Sequence, residues 1–188
     1  MLEMADELPA VSFDFDGVLC RPPFGINPGK GRGKRRDAPG KKGILWRTEH
    51  WRYYGRKPMP GALEALDAIR DIARPVIVSA RGEQARGLTE RWLHRHLGWV
   101  PELNLRPHWR ETSAQFKVRR LGELGVVAHF EDDPFTALWA ADTVPTVFLV
   151  DWPRNHWVHD PRLVRVHRLG DALPILAERL GVQPPSGG

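Results

Sequence analysis

Four aspartates stand directly after apolar runs of this sequence, where charged side chains are unusual. Asp14 and Asp16 lie in the stretch VSFDFDGVLC (residues 11–20), and Asp132 and Asp133 lie in HFEDDP. At about 4 Å and an effective dielectric near 20, each like-charge pair costs roughly 4 kcal/mol. If folding brings these acids together, they need a divalent cation, a neutralising lysine or a protonated carboxyl. Because all the side-chain ligands are oxygens, the cation that they favour is Mg²⁺.

The order of apolar segments predicts an α/β fold, namely a three-layer, Rossmann-like parallel sheet. Short β-branched or aromatic runs indicate strands at residues 8–15, 75–81, 102–106, 126–130 and 143–151. Between and after them, apolar residues at helical spacing and capping signals predict helices at residues 60–74, 83–97, 112–123, 133–142 and 171–180. Strands that alternate with helices in this way form parallel sheets covered on both faces.

In such a sheet, ligands bind outside the carboxyl ends of the strands. Six polar residues fall at or just after predicted strand ends and are expected along one edge: Asp14, Asp16, Ser79, Arg81, Asp132 and Asp133. A structural role competes for Asp133, because an Asp followed by Pro134 is a typical helix N-terminus.

The net positive charge of the chain comes from one segment, residues 21–57. The 188 residues carry a formal net charge of +5, but residues 21–57 hold 12 of the 28 Lys and Arg residues and only 2 of the 23 Asp and Glu residues. We predict a single domain over 1–188, in which 21–57 is a basic, aromatic insert, 27–43 a mobile loop and 181–188 a loose tail. Beside a net acidic body, the insert could guide an anionic substrate inward.

Cysteine content and hydropathy indicate the cellular compartment of the protein and whether it binds a membrane. Cys20 is the only cysteine, so an internal disulfide is excluded and a reducing, cytoplasmic location is expected. The sequence shows no secretory signal and no apolar run long enough to cross a bilayer, so we expect no membrane partner. The sequence leaves the oligomeric state open.

Four motifs in order resemble those of the haloacid dehalogenase-like (HAD) phosphohydrolases. FDFDGVL resembles their first motif, an Asp-x-Asp-Gly after the first strand, and VIVSAR resembles their second, a Ser closing an apolar strand. Lys117 stands where the third-motif lysine is expected, and HFEDDP resembles the acidic fourth motif. The four motifs cover about residues 9 to 150, and together they are far more specific than any one alone.

The resemblance implies a mechanism and a role for each motif residue. Asp14 would attack phosphorus and form an aspartyl-phosphate, while Asp16 would protonate the leaving oxygen and later activate water. That second role requires the pKa of Asp16 to rise toward neutrality. Ser79 would bind a phosphate oxygen and Lys117 would neutralise the nucleophile and the phosphoryl group. Mg²⁺ would be held by Asp14, the backbone carbonyl of Asp16, Asp132 and Asp133.

Within that superfamily the sequence most resembles the phosphatase domain of polynucleotide kinase-phosphatases. The shared pieces are Ser-x-Arg at 79–81, an arginine after the third strand (Arg106), Lys117 and the pattern EDD followed by a tryptophan. By this resemblance Arg81 and Arg106 would grip phosphate with their bidentate guanidinium groups. Val18 departs from the pattern, because a threonine is common there, and the DGV form also occurs in deoxyribonucleotidase-like relatives.

The basic insert occupies the place where HAD enzymes carry their first type of cap, an element that selects substrates. It ends in ILWRTEHWRYYGRK, in which Trp46 and Trp51 alternate with arginines and could stack on bases. Two structural alternatives stay open: the glycine- and lysine-rich run could be only a solvated loop, and the aromatics could only pack the insert onto the body.

The leading hypothesis is a Mg²⁺-dependent phosphomonoesterase whose substrate is a nucleotide or a phosphorylated nucleic-acid end. One alternative is a 5′-nucleotidase that acts on free deoxynucleotides. An alternative of another class is a nucleic-acid-binding module that keeps the fold without catalysis, which predicts salt-sensitive binding that depends on the insert. Trp152 and Trp157, in DWPRNHW, are expected at the surface or the rim of the site.

Overall fold

The computed structural model describes residues 8–22, 54–107 and 110–185. In these residues, six parallel strands form one sheet in the order β3-β2-β1-β4-β5-β6. The strands are β1 (Ala10–Phe13), β2 (Arg74–Gly82), β3 (Glu102–Arg106), β4 (Ala128–Glu131), β5 (Thr146–Val150) and β6 (Leu163–Val166). The helices are α1 (Ala62–Ile69), α2 (Arg86–Leu97), α3 (Ser113–Glu123), α4 (Pro134–Ala140) and α5 (Leu173–Leu180).

The three-layer α/β prediction is confirmed, since helices cover both faces of the sheet. Apolar residues of α1, α2 and α5 form one core cluster with one face of the strands. Residues of α3 and α4 form a second cluster with the other face. Because all connections are parallel crossovers, the strands end at a common edge, and the order of the sheet changes direction at β1.

An aromatic ladder fixes the central strands beside this edge. The rings of Phe13 and Phe130 stack with centroids 4.8 Å apart, and those of Phe130 and Phe148 stack at 4.6 Å. Phe13 pairs with Phe130, and Phe130 with Phe148, in the register of β1, β4 and β5. The stacking therefore aligns the ends of β1 and β4, where the acidic motifs follow.

Several element bounds differ from the sequence-based expectation. The helix expected to start near Pro60 ends at Ile69, and the buried Ile72 lies in the following loop. The strand expected at 126–130 is shifted to Ala128–Glu131, which places Glu131 in the strand. β6 was not predicted at all. Residues 23–53 and 186–188 lie outside the described residues, and so does the proposed mobile loop at 27–43.

None of the helices in the described parts of the chain combines the length and the apolar character that crossing a membrane requires.

Candidate functional site

Three buried acids meet where β1 and β4 end. Asp14 follows β1, and its backbone N–H donates to the carbonyl of Phe130 at 2.9 Å, which ties it to β4. Glu131 is the last residue of β4 and Asp132 comes next. One carboxylate oxygen from each of Asp14, Glu131 and Asp132 lies within 4.8 Å of the others. Residues more than 110 positions apart are therefore joined into one acidic cluster.

Lys117 supplies a buried positive charge to this cluster. Its Nζ lies 2.9 Å from Asp14 Oδ2 and 2.7 Å from Glu131 Oε2. The side chains of Lys117, Asp14 and Glu131 are 4%, 8% and 0% exposed, respectively. Helix α3 carries Lys117 into place, and it begins with a capping box in which Thr112 Oγ1 accepts from the N–H of Gln115.

Burial and neighbouring charges shift the pKa values of the cluster residues in different directions. Burial raises the pKa of Asp14 well above its ordinary value, and the neighbouring acids add to a rise that Lys117 only partly offsets. Burial opposes the charge of Lys117, but Asp14 and Glu131 outweigh it and raise the pKa of the lysine. Burial also opposes the charge of Glu131, yet Lys117 and His129 lower its pKa below its ordinary value. Lys117 and Glu131 therefore stay ionised.

Glu131 is a site residue that the sequence analysis did not single out. Its Oε1 accepts the backbone N–H groups of Asp132 and Asp133, both at 2.9 Å. Its Oε2 faces Lys117, and Nε2 of the buried His129 lies 3.3 Å away. A carboxylate has about four lone-pair directions, and all four are used here. Glu131 therefore shapes the acidic turn and holds Lys117.

Asp132 and Asp133 have different surroundings although they are neighbours. Asp133 caps α4: its Oδ1 accepts from the backbone N–H of Thr136 at 3.0 Å and from the Thr136 hydroxyl at 3.1 Å. It does not belong to the three-acid cluster of the described residues. Asp133 therefore has the capping role that was its structural alternative, and its role as a metal ligand stays a prediction. Asp132 Oδ2 instead receives Arg154 Nη2 at 2.7 Å, a buried contact that the sequence did not signal.

Asp16 lies between two guanidinium groups. Arg81 binds it in a bidentate manner, with Nε to Oδ2 and Nη2 to Oδ1 both at 2.8 Å, and Arg56 Nη1 contacts Oδ1 as well. Burial would raise the pKa of Asp16, but Arg81 and Arg56 outweigh it and lower the pKa to about 2. The expectation of a pKa raised toward neutrality is therefore wrong for this arrangement, because the two arginines favour the ionised carboxylate.

The predicted phosphate ligands lie at the same edge, with different neighbours. Ser79 is buried near the end of β2. Phe13 of β1 pairs with Ile77 of β2, and Ser79 follows Ile77 by two residues. Arg106 ends β3, where Nη1 donates to Ser113 Oγ at 3.1 Å and Nη2 contacts the Glu111 carbonyl. Its guanidinium thus contacts the start of α3. Roles in phosphate binding stay predictions for Ser79, Arg81 and Arg106.

The loop after β5 supports the turn that carries Asp16. Gly17 adopts a positive φ of 95°, a conformation that glycine tolerates best, and its carbonyl accepts Trp152 Nε1 at 2.9 Å. Asn155 Nδ2 donates to the Asp132 carbonyl at 3.1 Å. Trp152 is therefore more than a rim residue, since its loop ties the first acidic motif to the fourth.

The two ends of the basic insert meet beside Asp16. The backbone N–H of Arg21 donates to the Lys57 carbonyl at 2.9 Å, that of Met59 donates to the Leu19 carbonyl at 2.8 Å, and Cys20 and Pro58 form an antiparallel bridge. We call residues 20–21 and 56–59 the insert neck. Trp46 and Trp51 lie outside the described residues, so their proposed stacking on bases stays a prediction.

The donor set fits a magnesium ion. Asp14 and Asp132 are buried, close together and offer only oxygen, and Mg²⁺ is typically bound by one or two carboxylates plus water and substrate phosphate. Asp14 and Asp132 would hold the ion, with the backbone carbonyl of Asp16 as the further expected ligand.

Comparisons with known proteins define the fold class. No family model matches the sequence, and no curated protein matches it either. Among solved structures, a haloacid dehalogenase-like hydrolase, SP0104 from Streptococcus pneumoniae, is similar with a TM-score of 0.61 and 13% identity, over 91% of this chain and 99% of that one. A haloacid dehalogenase-like hydrolase from Xanthomonas campestris has a TM-score of 0.60 and 14% identity, over 92% and 96% of the two chains. The chain has the fold of the haloacid dehalogenase-like hydrolases.

Two further similar structures contain ligands or partner proteins. D,D-heptose 1.7-bisphosphate phosphatase from B. bronchiseptica, complexed with magnesium and phosphate, has a TM-score of 0.54 and 15% identity, over 91% of this chain and 99% of that one. A chain of the Pnkp1/Rnl/Hen1 RNA repair complex has a TM-score of 0.54 and 16% identity. That match covers 78% of this chain but only 43% of the other, much longer one.

Proposed function

We propose that this protein is a Mg²⁺-dependent phosphomonoesterase that acts through an aspartyl-phosphate on Asp14. The observation that carries the proposal is the buried cluster of Asp14, Glu131 and Asp132 around Lys117. The fold agrees with it, and the similar heptose bisphosphate phosphatase was crystallised with magnesium and phosphate. Asp14 is held by a lysine at the end of a central strand, which is the position that a carboxylate nucleophile needs.

The first half of the reaction transfers the phosphoryl group to Asp14. An Asp14 oxygen forms a bond to phosphorus as the bond between phosphorus and the leaving oxygen breaks. Lys117 neutralises Asp14 and keeps it oriented, and Ser79 donates a hydrogen bond to a phosphoryl oxygen. Asp14 and Asp132 would hold a magnesium ion, which would supply charge neutralisation for the phosphoryl oxygens.

In the second half, water attacks phosphorus, its proton passes to Asp16, and phosphate leaves Asp14. Asp16 is ionised beside Arg81 and Arg56, which is the protonation state that a base requires. Proton donation to the leaving group in the first half requires Asp16 to be protonated, which the present contacts with Arg81 and Arg56 oppose. One of these contacts therefore has to loosen when substrate binds.

For the substrate we propose a nucleotide or a phosphorylated nucleic-acid end. The support comes from the two arginines that contact Asp16, namely Arg56 and Arg81, and from the basic, aromatic composition of residues 21–57. The similarity to a chain of an RNA repair complex is consistent with such a substrate. The single, buried Cys20 supports the further proposal of a reducing, cytoplasmic location.

A phosphatase panel tests the function directly. The substrates are 4-nitrophenyl phosphate, a sugar phosphate, thymidine monophosphates and an oligonucleotide with a terminal 3′-phosphate, each with Mg²⁺ and with EDTA. We expect turnover only with the cation, and a loss on the order of 10³ or more for Asp14→Asn. The matched control is Asp71→Asn, an exposed aspartate in the loop after α1, which should retain wild-type rates. Metal-dependent turnover by Asp14→Asn at the wild-type rate would refute the proposal.

A further inference from the structure

The carboxylate of Asp16 has more positive than negative groups in direct contact with it. One carboxylate contacts two guanidinium groups, those of Arg81 and Arg56. The arginine side chains are only 2% and 8% exposed, whereas that of Asp16 is 33% exposed and forms the open side of the group. Burying a surplus charge is unfavourable, so a further anion is expected to be stabilised here.

Arg81 and Arg56 differ in how many of their guanidinium nitrogens have a hydrogen-bond partner. Arg81 places Nε and Nη2 on Asp16, donates from Nη1 to Thr89 Oγ1 at 3.0 Å, and lies over the Phe15 ring with Cζ 4.1 Å from its centroid. Arg81 is therefore a fixed partner of Asp16. Arg56 contacts Asp16 through Nη1 and the Arg21 carbonyl through Nε, but its buried Nη2 has no hydrogen-bond partner among the described residues.

The backbone of Arg56 is well anchored. The Arg56 carbonyl accepts Trp92 Nε1 at 2.6 Å, and Trp92 packs edge-on against Phe15 with ring centroids 4.9 Å apart. Arg56 also belongs to the insert neck, which is joined to the first acidic motif by the Arg21–Lys57 hydrogen bond. The Arg56 guanidinium is thus held beside Asp16 at the end of the insert, and its Nη2 has no hydrogen-bond partner among the described residues.

We propose that Arg56 is a specificity-determining residue that binds a second anionic group of the substrate, namely a phosphodiester next to the phosphate that is removed. This inference rests on the proposed function, since Asp16 exchanges its proton with the leaving oxygen and its neighbours therefore face the leaving group. A guanidinium donates charge-assisted hydrogen bonds to phosphodiester oxygens, and the Nη2 of Arg56 has N–H groups to donate. A nucleic-acid end carries such a diester, whereas a free mononucleotide or a sugar monophosphate does not.

The first test is binding without turnover. The probe is a dinucleoside monophosphate that lacks a terminal phosphate, so its only charge is the phosphodiester, and its Kd is measured by calorimetry. We expect Arg56→Gln to weaken binding by about tenfold or more, because a charge-assisted hydrogen bond is lost, and Arg56→Lys to weaken it less. The matched control Arg74→Gln removes a comparably paired arginine at the start of β2, away from the site, and should bind as the wild type does.

The second test compares two substrates in steady-state turnover. A dinucleotide with a terminal 3′-phosphate carries the flanking diester, and thymidine 3′-monophosphate does not. Arg56→Gln should lower the ratio of their kcat/KM values by about tenfold, chiefly through KM. The ratio cancels any effect that Arg56 has on Asp16, since both substrates need Asp16 equally. Thermal melting of each variant confirms that it is folded.

The two tests separate the inference from the proposed function. If the wild type hydrolyses neither substrate, the phosphatase proposal fails, while diester binding that depends on Arg56 still supports the anion site. If the wild type hydrolyses both and Arg56→Gln changes them equally, the inference is overturned and Arg56 only holds the insert neck. Failure of the wild type to bind the diester probe, or equal binding by Arg56→Gln, overturns it as well.

Discussion

Replacing Lys117 with methionine should destabilise the protein strongly when no metal is present. The substitution keeps an unbranched chain of similar size but removes an ammonium that lies 2.9 Å from Asp14 and 2.7 Å from Glu131. Removing one partner of a buried ion pair costs about 3–5 kcal/mol, because the other charge stays buried. A domain of this kind has a total stability of about 5–15 kcal/mol, so Lys117→Met should lose a large part of it.

The assay is urea unfolding followed by tryptophan fluorescence at neutral pH in EDTA. The matched control is Arg120→Met on the same helix, where the charge is one-third exposed and paired with Glu123 at 3.1 Å. That exposed pair should contribute no more than about 1 kcal/mol. A loss below about 1 kcal/mol for Lys117→Met itself would refute the reasoning, because it would mean that the acids do not need the lysine.

A double-mutant cycle sharpens the same test. The double variant Lys117→Met with Asp14→Asn no longer carries the Asp14 charge that the lysine balanced. Its loss in the free energy of unfolding should therefore be smaller than the sum of the losses of the two single variants. Addition of Mg²⁺ to Lys117→Met should recover part of the lost stability, since a bound cation restores positive charge to the cluster. Strictly additive losses would show that Lys117 and Asp14 do not interact.

Three further predictions concern single residues. Arg154→Gln should tighten Mn²⁺ binding measured by calorimetry, by roughly tenfold, because a guanidinium 2.7 Å from Asp132 Oδ2 competes for that carboxylate; weaker binding would contradict this role. Burial, with Asp16 nearby, raises the pKa of Cys20 from 9.0 to about 11. The free energy of unfolding should therefore fall as pH rises from 9 toward 11, because the unfolded thiol ionises first. At pH 8 the native thiol should react with a disulfide reagent roughly 100-fold more slowly than the unfolded thiol, and rapid labelling of the native protein would contradict this. Thr112→Ala should lower the free energy of unfolding by about 1 kcal/mol through loss of the α3 cap, whereas Thr112→Ser should keep it; equal losses would argue against the capping box.

Much of the fold could be predicted because local patterns coincide with tertiary burial. The runs that form β1, β2, β4 and β5 are almost wholly buried and mostly apolar, as strands in a covered parallel sheet are expected to be. β6 was missed because LVRV is short, lies at the edge of the sheet and contains Arg165. The capping box of α3 was visible as Thr112 at the start of a helical pattern, and it fixes the helix that carries Lys117.

The site could be predicted only in part, since spacing along the chain does not show which oxygens are already used. Asp14 and Lys117 were identified by their place in a motif, and the structure brings them into contact. Glu131 and Asp133 flank Asp132 in sequence, but only the end of β4 and the start of α4 decide that one holds the lysine and the other caps a helix. Arg154 is a single arginine in a loop with no local signal, because its contact with Asp132 depends on how β4 and β5 meet.

The pKa of Asp16 could not be deduced from sequence for the same reason. Its value depends on Arg81, which is 65 positions away, and on Arg56, which comes from the end of the insert. The motif gives the role of the aspartate but not the charges that surround it. The structure thus changes the account of Asp16 from a carboxyl with a raised pKa to a carboxylate held by two arginines.

The most direct test of the central claim is to trap the covalent intermediate. The enzyme is mixed with 4-nitrophenyl phosphate and Mg²⁺, quenched during turnover and treated with borohydride, which reduces an aspartyl-phosphate to homoserine, and the peptides are then analysed by mass spectrometry. We predict homoserine at position 14, dependent on both substrate and Mg²⁺, and none at Asp16 or Asp132. Release of phosphate with Asp14 unmodified throughout would contradict the account.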